Sequence, residues 1–245
     1  MLRALPLGLV GGFACSGAAD ETCEVQTSEI STVALVIDSG FDIRVAVDFE
    51  LGDRQGSRSP VSLCESDTLT INGATTTSST KATRVEYSLT LPIEAERSFE
   101  FVLEREAEGE TIAFEVELPP AFEILTPMSG DPLQVGEAQS VTWEPSLGEQ
   151  STMLVGLTEA LGGGQCLLTP QDDALYESLG GVPVPDTGQW SVKDDEIDTQ
   201  SLVPCAATYT LTRLVLGDYP TQFERGGRVE ARVERYRDIE ITPPQ

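Results

Sequence analysis

Apolar and polar side chains alternate with a period of two along most of the first half of the chain. The polar positions are mostly Thr, Ser, Glu and Arg, which is typical of antiparallel strands that bury one face and expose the other to water. About seven such segments, separated by turn residues, predict a β-sandwich. The apolar positions that define these segments are Val33, Leu35, Ile37, Ile43, Val45, Val47, Phe49, Leu69, Ile71, Val85, Tyr87, Leu89, Leu91, Phe99, Phe101, Leu103, Ile112, Phe114, Val116 and Leu118.

Turn residues divide this first half and mark its end. Asn72-Gly73 predicts a tight hairpin, because both residues adopt a positive φ readily. The polar run from Thr75 to Thr80 predicts an exposed loop. Pro119-Pro120 predicts a stiff, extended link, because a proline nitrogen donates no hydrogen bond to a sheet ladder.

The second half continues with strand patterns and one helical pattern. A short helix is predicted at residues 170–179, with Thr169 as its N-cap, Pro170 at its first position and Gly180 at its end. The strands predicted here begin at Phe122 and near Val141, and then cover residues 153–157, 165–168, 189–192, 207–216 and 228–241.

Residues 122–145 resemble the opening of immunoglobulin-like and fibronectin-III-like extracellular modules. In those modules a strand ending in Trp precedes a proline, as Trp143 precedes Pro145 here. The resemblance implies a fold and no particular activity. We therefore expect an all-β protein with two tandem Ig-like antiparallel β-sandwich domains. The expected boundaries are residues 1–14 for a signal peptide, 15–22 for a lipidated tether, 23–118 for the first domain, 119–121 for a Pro-rich linker and 122–243 for the second domain.

The first residues are typical of a secretory signal, since Arg3 precedes a short apolar segment and small residues follow. Gly12-Phe13-Ala14-Cys15 resembles a bacterial lipobox, although its first two residues depart from the usual pattern. The resemblance implies a lipid on Cys15 and, with Ser16 next, an outer-membrane location. Ordinary cleavage near Ala18, giving a secreted or periplasmic soluble protein, stays open as the alternative.

Four further cysteines predict two disulfides in an oxidising compartment. Three connectivities are open. One pair lies in each half, with spacings of 41 and 39 residues, so we expect the pairs Cys23–Cys64 and Cys166–Cys205. Cys15 is left over, and either lipidation or removal with the signal accounts for it. Zinc binding is the weaker alternative, because no CxxC spacing occurs.

Composition excludes several kinds of function. The formal net charge is −26, which repels phosphate backbones, so no nucleic-acid partner is expected. The chain contains no histidine, which excludes Ser-His-Asp triads and the common zinc sites. No apolar run approaches 20 residues, so no membrane-spanning helix is predicted.

Charged clusters supply the remaining candidate chemistry. Asp194, Asp195 and Asp198 could offer oxygen ligands to calcium or could form a solvated loop. An arginine-rich segment near the C-terminus predicts cross-strand charge pairing with interleaved glutamates on the solvated face of a sheet, with a patch for an acidic polysaccharide or phosphate as the alternative. A bulge or a strand break is predicted near Arg235 and Arg237. The arginines of this segment are Arg225, Arg228, Arg232, Arg235 and Arg237.

The segment that starts at Cys64 is similar to domains of predicted lipoproteins of myxobacterial type, which implies an address and a fold. The matching positions are Cys64, Asp67, Leu69, Ile71, Asn72 and Gly73. The leading hypothesis is a non-enzymatic, membrane-anchored lipoprotein that presents two modules to a protein or polysaccharide partner. A calcium-dependent binding module is the second hypothesis. A carboxylate hydrolase is the third, which Trp143 and Trp190 do not favour because both are predicted in the core.

Overall fold

Eighteen β-strands and two 3-10 helices form the regular structure of residues 20–52, 59–81, 84–134, 139–159, 181–192 and 204–242, which the computed structural model describes. The 3-10 helices are Thr22–Glu24 and Thr27–Glu29. No helix in these ranges is long and apolar enough to cross a membrane. The strands are β1 Asp20–Glu21, β2 Ile30–Asp38, β3 Asp42–Leu51, β4 Ser59–Ser62, β5 Thr68–Ile71, β6 Ala74–Thr75, β7 Thr77–Lys81, β8 Arg84–Pro92, β9 Ser98–Arg105, β10 Glu110–Glu117, β11 Glu123–Thr126, β12 Pro132–Gln134, β13 Gln139–Glu144, β14 Gly148–Glu159, β15 Val182–Asp186, β16 Gln189–Val192, β17 Cys205–Leu216 and β18 Gly227–Thr242.

The strands form three sheets, and the expected all-β class with sandwich-like sheets is confirmed. The largest sheet has eleven strands, with β1-β4-β3-β2-β18-β17-β14-β15 along its main path. A four-stranded sheet has the order β10-β9-β5-β6, and a three-stranded sheet has the order β11-β13-β16. Buried apolar side chains from all three sheets belong to one cluster, which includes Phe49, Phe101, Trp143 and Val233.

The largest sheet runs through both halves of the chain. Strand β2 pairs in parallel with β18, with Thr32 opposite Gly227 and Asp38 opposite Val233. Strand β18 then pairs with β17, β17 with β14, and β14 with β15, all antiparallel. The division at residues 119–121 stays a prediction, but the two parts share a continuous hydrogen-bonded sheet.

Strand β2 buries the face opposite to the one that its sequence pattern predicts. Ala34 and Val36 are fully buried, whereas Val33, Leu35 and Ile37 are half-buried. Directly opposed residues of neighbouring strands share a face. The register places Ala34 and Val36 beside the buried valines of β3, so the partner strand decides which apolar face of β2 enters the core.

The polar run at residues 75–80 is exposed as expected, but the prediction of a loop is wrong. Residues 77–81 form β7, which pairs with β8 and places Thr77 opposite Ser88. Threonine suits an edge strand because its branched side chain fits a pleated surface. The preceding hairpin is confirmed, with Asn72 at φ 48° and Gly73 at φ 74° between β5 and β6.

The predicted bulge in the last strand is also wrong. The β17–β18 ladder is continuous from Glu230 to Ile241. Burial alternates along β18, with Val229, Ala231, Val233, Ile239 and Ile241 on the core face. The period-two geometry of a strand places Arg235 and Arg237 on this same face, and both are half-buried.

Three other predicted strands of the second half lie close to their predicted positions. Residues 189–192 form β16, and β17 and β18 extend slightly beyond the predicted ranges. The strand predicted at 153–157 is longer, Gly148–Glu159, and β12 and β15 were not predicted. Trp143 is buried and Trp190 is partly buried against the core. The predicted strand at 165–168 and the predicted helix at 170–179 lie outside the described residues.

Candidate functional site: a groove between the two halves

Asp38 shapes the tight turn that joins β2 to β3. Its carboxylate is buried and forms ion pairs with Arg97, at 3.3 Å, and with Arg235, at 2.9 Å. It also accepts a hydrogen bond from the backbone N–H of Gly40 at 2.9 Å. The turn is therefore fixed from below, and the next residue, Phe41, projects into solvent with 89% of its surface exposed.

Arginine side chains hold the segment that connects the two halves. Arg97 donates to the carbonyl oxygen of Pro119, and Arg213 donates to that of Pro120 at 2.7 Å. Further along, Arg237 donates to the carbonyl oxygen of Ile124 at 2.6 Å. The segment thus follows a defined course across the inner face of β17 and β18.

Phe122 anchors the same segment through its ring. It is 2% exposed, with the Arg213 guanidinium 4.9 Å and the Arg235 guanidinium 5.9 Å from its centroid. Both distances allow cation–π attraction, which is stronger when the cation is shielded from water. The ring and two arginines therefore form the floor on which the site is built.

Two adjoining cavities open above this floor, and together they form what we call the junction groove. Their volumes are about 640 and 470 Å³, within the range of small-molecule sites. Gly40, Glu123 and Arg235 line both cavities. Phe41 and Tyr236 line the second, and Tyr236 is 45% exposed, so the groove combines aromatic surface with charged groups.

Arg237 supplies a positive charge without a carboxylate partner in the groove. Among the residues that the structure describes, no Asp or Glu lies within 4.0 Å of its guanidinium, whereas Arg235 pairs with Asp38. Its Nε is buried and has no hydrogen-bond partner in the described part of the chain. An unpaired guanidinium is a strong and directional donor to a carboxylate.

The groove also holds polar groups of both kinds. The Tyr236 hydroxyl donates to Glu234, and burial together with that carboxylate raises the pKa of Tyr236, so the hydroxyl stays protonated at neutral pH. Glu123 is exposed on the lining and offers acceptor oxygens. Donors, acceptors and an aromatic wall suit the binding of a polar organic ligand.

A pair of buried carboxylates lies elsewhere, on the sheet of the first half. Asp48 and Glu86 are directly opposed in β3 and β8, and Arg84 forms ion pairs with both. Burial raises the pKa of Asp48, and the hydrogen bond from Arg84 works in the opposite direction. Neither carboxylate lines either cavity of the junction groove, so the pair does not support the hydrolase hypothesis at this groove.

The structure tests part of the predicted set of site residues. The Cys23–Cys64 disulfide is confirmed, and this oxidised pair offers no free thiolate for a metal. Cys205 is also disulfide-bonded, and its partner is outside the described residues, so pairing with Cys166 stays a prediction. Cys15 and the calcium candidates Asp194, Asp195 and Asp198 lie outside the described residues too.

The arginine-rich strand pairs its charges partly along its own length. Glu230 is buried and forms ion pairs with Arg228 and Arg232, two residues away on either side. Arg235 instead forms a cross-strand pair with Asp38 of β2, which is a buried aspartate and not one of the interleaved glutamates. Within the described residues, Arg237 has no carboxylate partner at all, and this difference marks it as a candidate binding residue.

A second network fixes the segment that follows the predicted tether. Arg105 is fully buried and donates to the carbonyl oxygens of Thr22 and Val25 and to the hydroxyl of Thr27. Asp67 accepts from the Thr22 hydroxyl, and the Cys23–Cys64 disulfide closes the same region covalently. The chain is therefore held firmly from Thr22 onwards.

The chain matches no protein-family model and no curated protein. Its structural similarities include the fibronectin(III)-like modules of Clostridium thermocellum CbhA, at 13% identity and a TM-score of 0.23, over 87% of this chain and 94% of that one. They also include DIP-gamma IG1+IG2, at 8% identity and a TM-score of 0.21, over 88% and 99%. SGBP-B of the Bacteroides ovatus mixed-linkage glucan utilization locus, in complex with a mixed-linkage heptasaccharide, gives 10% identity and a TM-score of 0.18, over 98% and 69%. At TM-scores this low, the fold rests on the strands and pairing of the chain itself.

Proposed function

We propose that this chain is a non-enzymatic, membrane-anchored lipoprotein that presents its β-sheet modules to a protein or glycan partner. The junction groove is the contact site in this proposal. The observation that carries it is the position of Phe41, an almost fully exposed aromatic ring beside a groove whose floor is fixed by buried ion pairs.

A fixed turn beneath an exposed ring favours binding. Preorganised backbone loses little conformational freedom when a partner docks, so more of the interaction free energy appears as affinity. Aromatic residues and arginine are also the residue types that contribute most to binding hot spots. The groove combines both types, with Phe41 and Arg237 on one cavity.

The contact site is tested by placing a photo-crosslinking amino acid at position 41 in the full chain, with position 216 as the control. Leu216 is also an exposed apolar residue, at 68%, but it does not line the junction groove. We expect crosslinked envelope material at position 41 and none at position 216. Equal crosslinking at both positions, or none at either, contradicts the proposed site.

The anchor is tested separately by Cys15→Ala. A lipid contributes about 0.8 kcal/mol per buried methylene group, so its loss releases a protein that is held by the lipid alone. We expect the variant in the soluble fraction and the unchanged chain in the membrane fraction. A variant that remains in the membrane fraction shows that the anchor proposal is wrong.

A further inference from the structure

We infer that the junction groove binds a carboxylate-bearing sugar of an acidic polysaccharide, with the sugar ring against Phe41 and the carboxylate at Arg237. This inference rests on the proposed function and narrows it to one class of ligand.

The Phe41 ring provides the apolar part of the site. Sugar rings present C–H groups on their faces, and an exposed aromatic ring can pack against such a face. Phe41 stands on a turn that Asp38 holds in place. Phe41 and Arg237 line the same cavity, so a sugar ring can pack on Phe41 while its carboxylate meets the guanidinium.

Arg237 provides the recognition of charge. It is the arginine of the groove whose guanidinium has no carboxylate within 4.0 Å among the described residues, and its Nε is buried without a hydrogen-bond partner there. A ligand carboxylate would satisfy the charge through a hydrogen bond of the strong, charge-assisted kind. The neighbouring Arg235 already pairs with Asp38. Arg237 is therefore the arginine that distinguishes a charged ligand from an uncharged one.

Acceptor groups distinguish a sugar acid from a phosphate. Glu123 is exposed on the groove lining and would repel a doubly charged phosphate more strongly than a singly charged carboxylate, and it can accept hydrogen bonds from hydroxyl groups. The carboxylate of Asp238, also on the lining, is drawn away by a 2.8 Å hydrogen bond from the Thr208 hydroxyl on β17. A ligand with one negative charge and several hydroxyl groups matches this set.

The net charge of −26 limits the attraction of a long acidic polymer at low ionic strength. Screening confines charge effects to about 8 Å at physiological salt. At that salt the local environment of Arg237 decides affinity more than the total charge does. The inference therefore concerns a short segment of the polymer at one site, and the test uses short oligomers at physiological salt.

The experiment is calorimetric titration of the full chain with a short oligogalacturonate and with its methyl ester, which carries the same sugar rings without the charges. We expect the acid to bind at least tenfold more tightly than the ester, because one charge-assisted hydrogen bond is lost with the ester. Equal binding of acid and ester, or binding of neither, overturns the inference.

Variants locate the effect in the groove. Arg237→Gln is expected to remove the preference for the acid, whereas Arg225→Gln makes the same charge change at an exposed residue outside the groove and is expected to keep it. Phe41→Ala, at a side chain too exposed to support the fold, is expected to weaken both ligands about threefold to tenfold. A preference that persists in Arg237→Gln, or binding unaffected by Phe41→Ala, contradicts the inference.

Failure of this inference and failure of the proposed function give different results. If position 41 crosslinks to an envelope protein while no sugar binds, the contact site stands and the ligand class is wrong. If position 41 captures nothing and no sugar binds, the proposed contact site fails as well.

Discussion

Arg213 lies fully buried at the junction, and its guanidinium reaches partners on three segments of the chain. It pairs with Asp186 at 2.7 Å and donates to the carbonyl oxygens of Pro120 and Pro145, both at 2.7 Å. Asp186 is itself buried and also accepts from the indole N–H of Trp143 at 2.7 Å. A buried ion pair is sustained when its other hydrogen-bonding capacity is met, and the two residues here meet that condition.

We expect Arg213→Met to lower the free energy of unfolding by about 3–5 kcal/mol, because it leaves the Asp186 carboxylate buried without a compensating charge. Replacing both residues, as Arg213→Met with Asp186→Leu, is expected to cost less than the two single changes together, since no charge is left unpaired. Urea unfolding followed by tryptophan fluorescence measures all three variants. A loss below about 1 kcal/mol in Arg213→Met contradicts this role of the Arg213–Asp186 ion pair.

Among the structural elements, the N-terminal segment depends on a hairpin far from it in sequence. Arg105 ends β9, and its guanidinium collects the carbonyl oxygens of Thr22 and Val25. Glu108, in the turn that follows, accepts from the Thr27 hydroxyl at 2.6 Å. The end of β9 and the β9–β10 turn therefore hold residues 22–27 through hydrogen bonds, in addition to the disulfide.

We expect Arg105→Met to speed hydrogen exchange at the amides of residues 22–29 more than at those of β17 and β18, because local opening of this segment no longer breaks those hydrogen bonds. Arg228→Met is the control, since Arg228 is half-exposed and pairs with Glu230 of its own strand, β18. Exchange measured by mass spectrometry distinguishes the two. Unchanged exchange at residues 22–29 would show that the disulfide holds the segment by itself.

Prediction from sequence succeeded for elements whose large apolar residues lie mainly at one phase. Strands β9 and β10 alternate clearly, so both their positions and their buried faces follow from the pattern. Strand β2 is apolar at both phases, and its buried face is fixed by register with β3. The Phe41 site escaped prediction because it depends on Asp38 meeting Arg235, which is 197 residues away.

For the whole molecule, the parallel pairing of β2 with β18 makes the two halves parts of one sheet. The seven ladder positions run from Thr32–Gly227 to Asp38–Val233. Arg97 and the buried Arg213 add polar links at the connecting segment. The stabilities of the two halves are therefore coupled, although the Pro119-Pro120 link lies between them.

We expect scanning calorimetry of the intact, oxidised protein to show one cooperative transition, because neither half can unfold without breaking the shared sheet. Gly227→Ala tests the pairing of β2 with β18, since an added Cβ would overlap the carbonyl oxygen of Thr32. The variant is expected to move the entire transition to lower temperature. Two separate transitions, or a shift confined to one of them, would support the independent domains expected from the sequence.

The position of the Cys23–Cys64 bond determines how the protein would bear mechanical load. Strand β1 is two residues long and lies at the margin of the sheet, so tension applied ahead of Asp20 could peel it away. Cys23 follows almost at once, and its covalent bond to Cys64 passes the tension to the segment between β4 and β5. The disulfide therefore keeps such a load off the loop that it closes, which contains β2 and Phe41 of the junction groove.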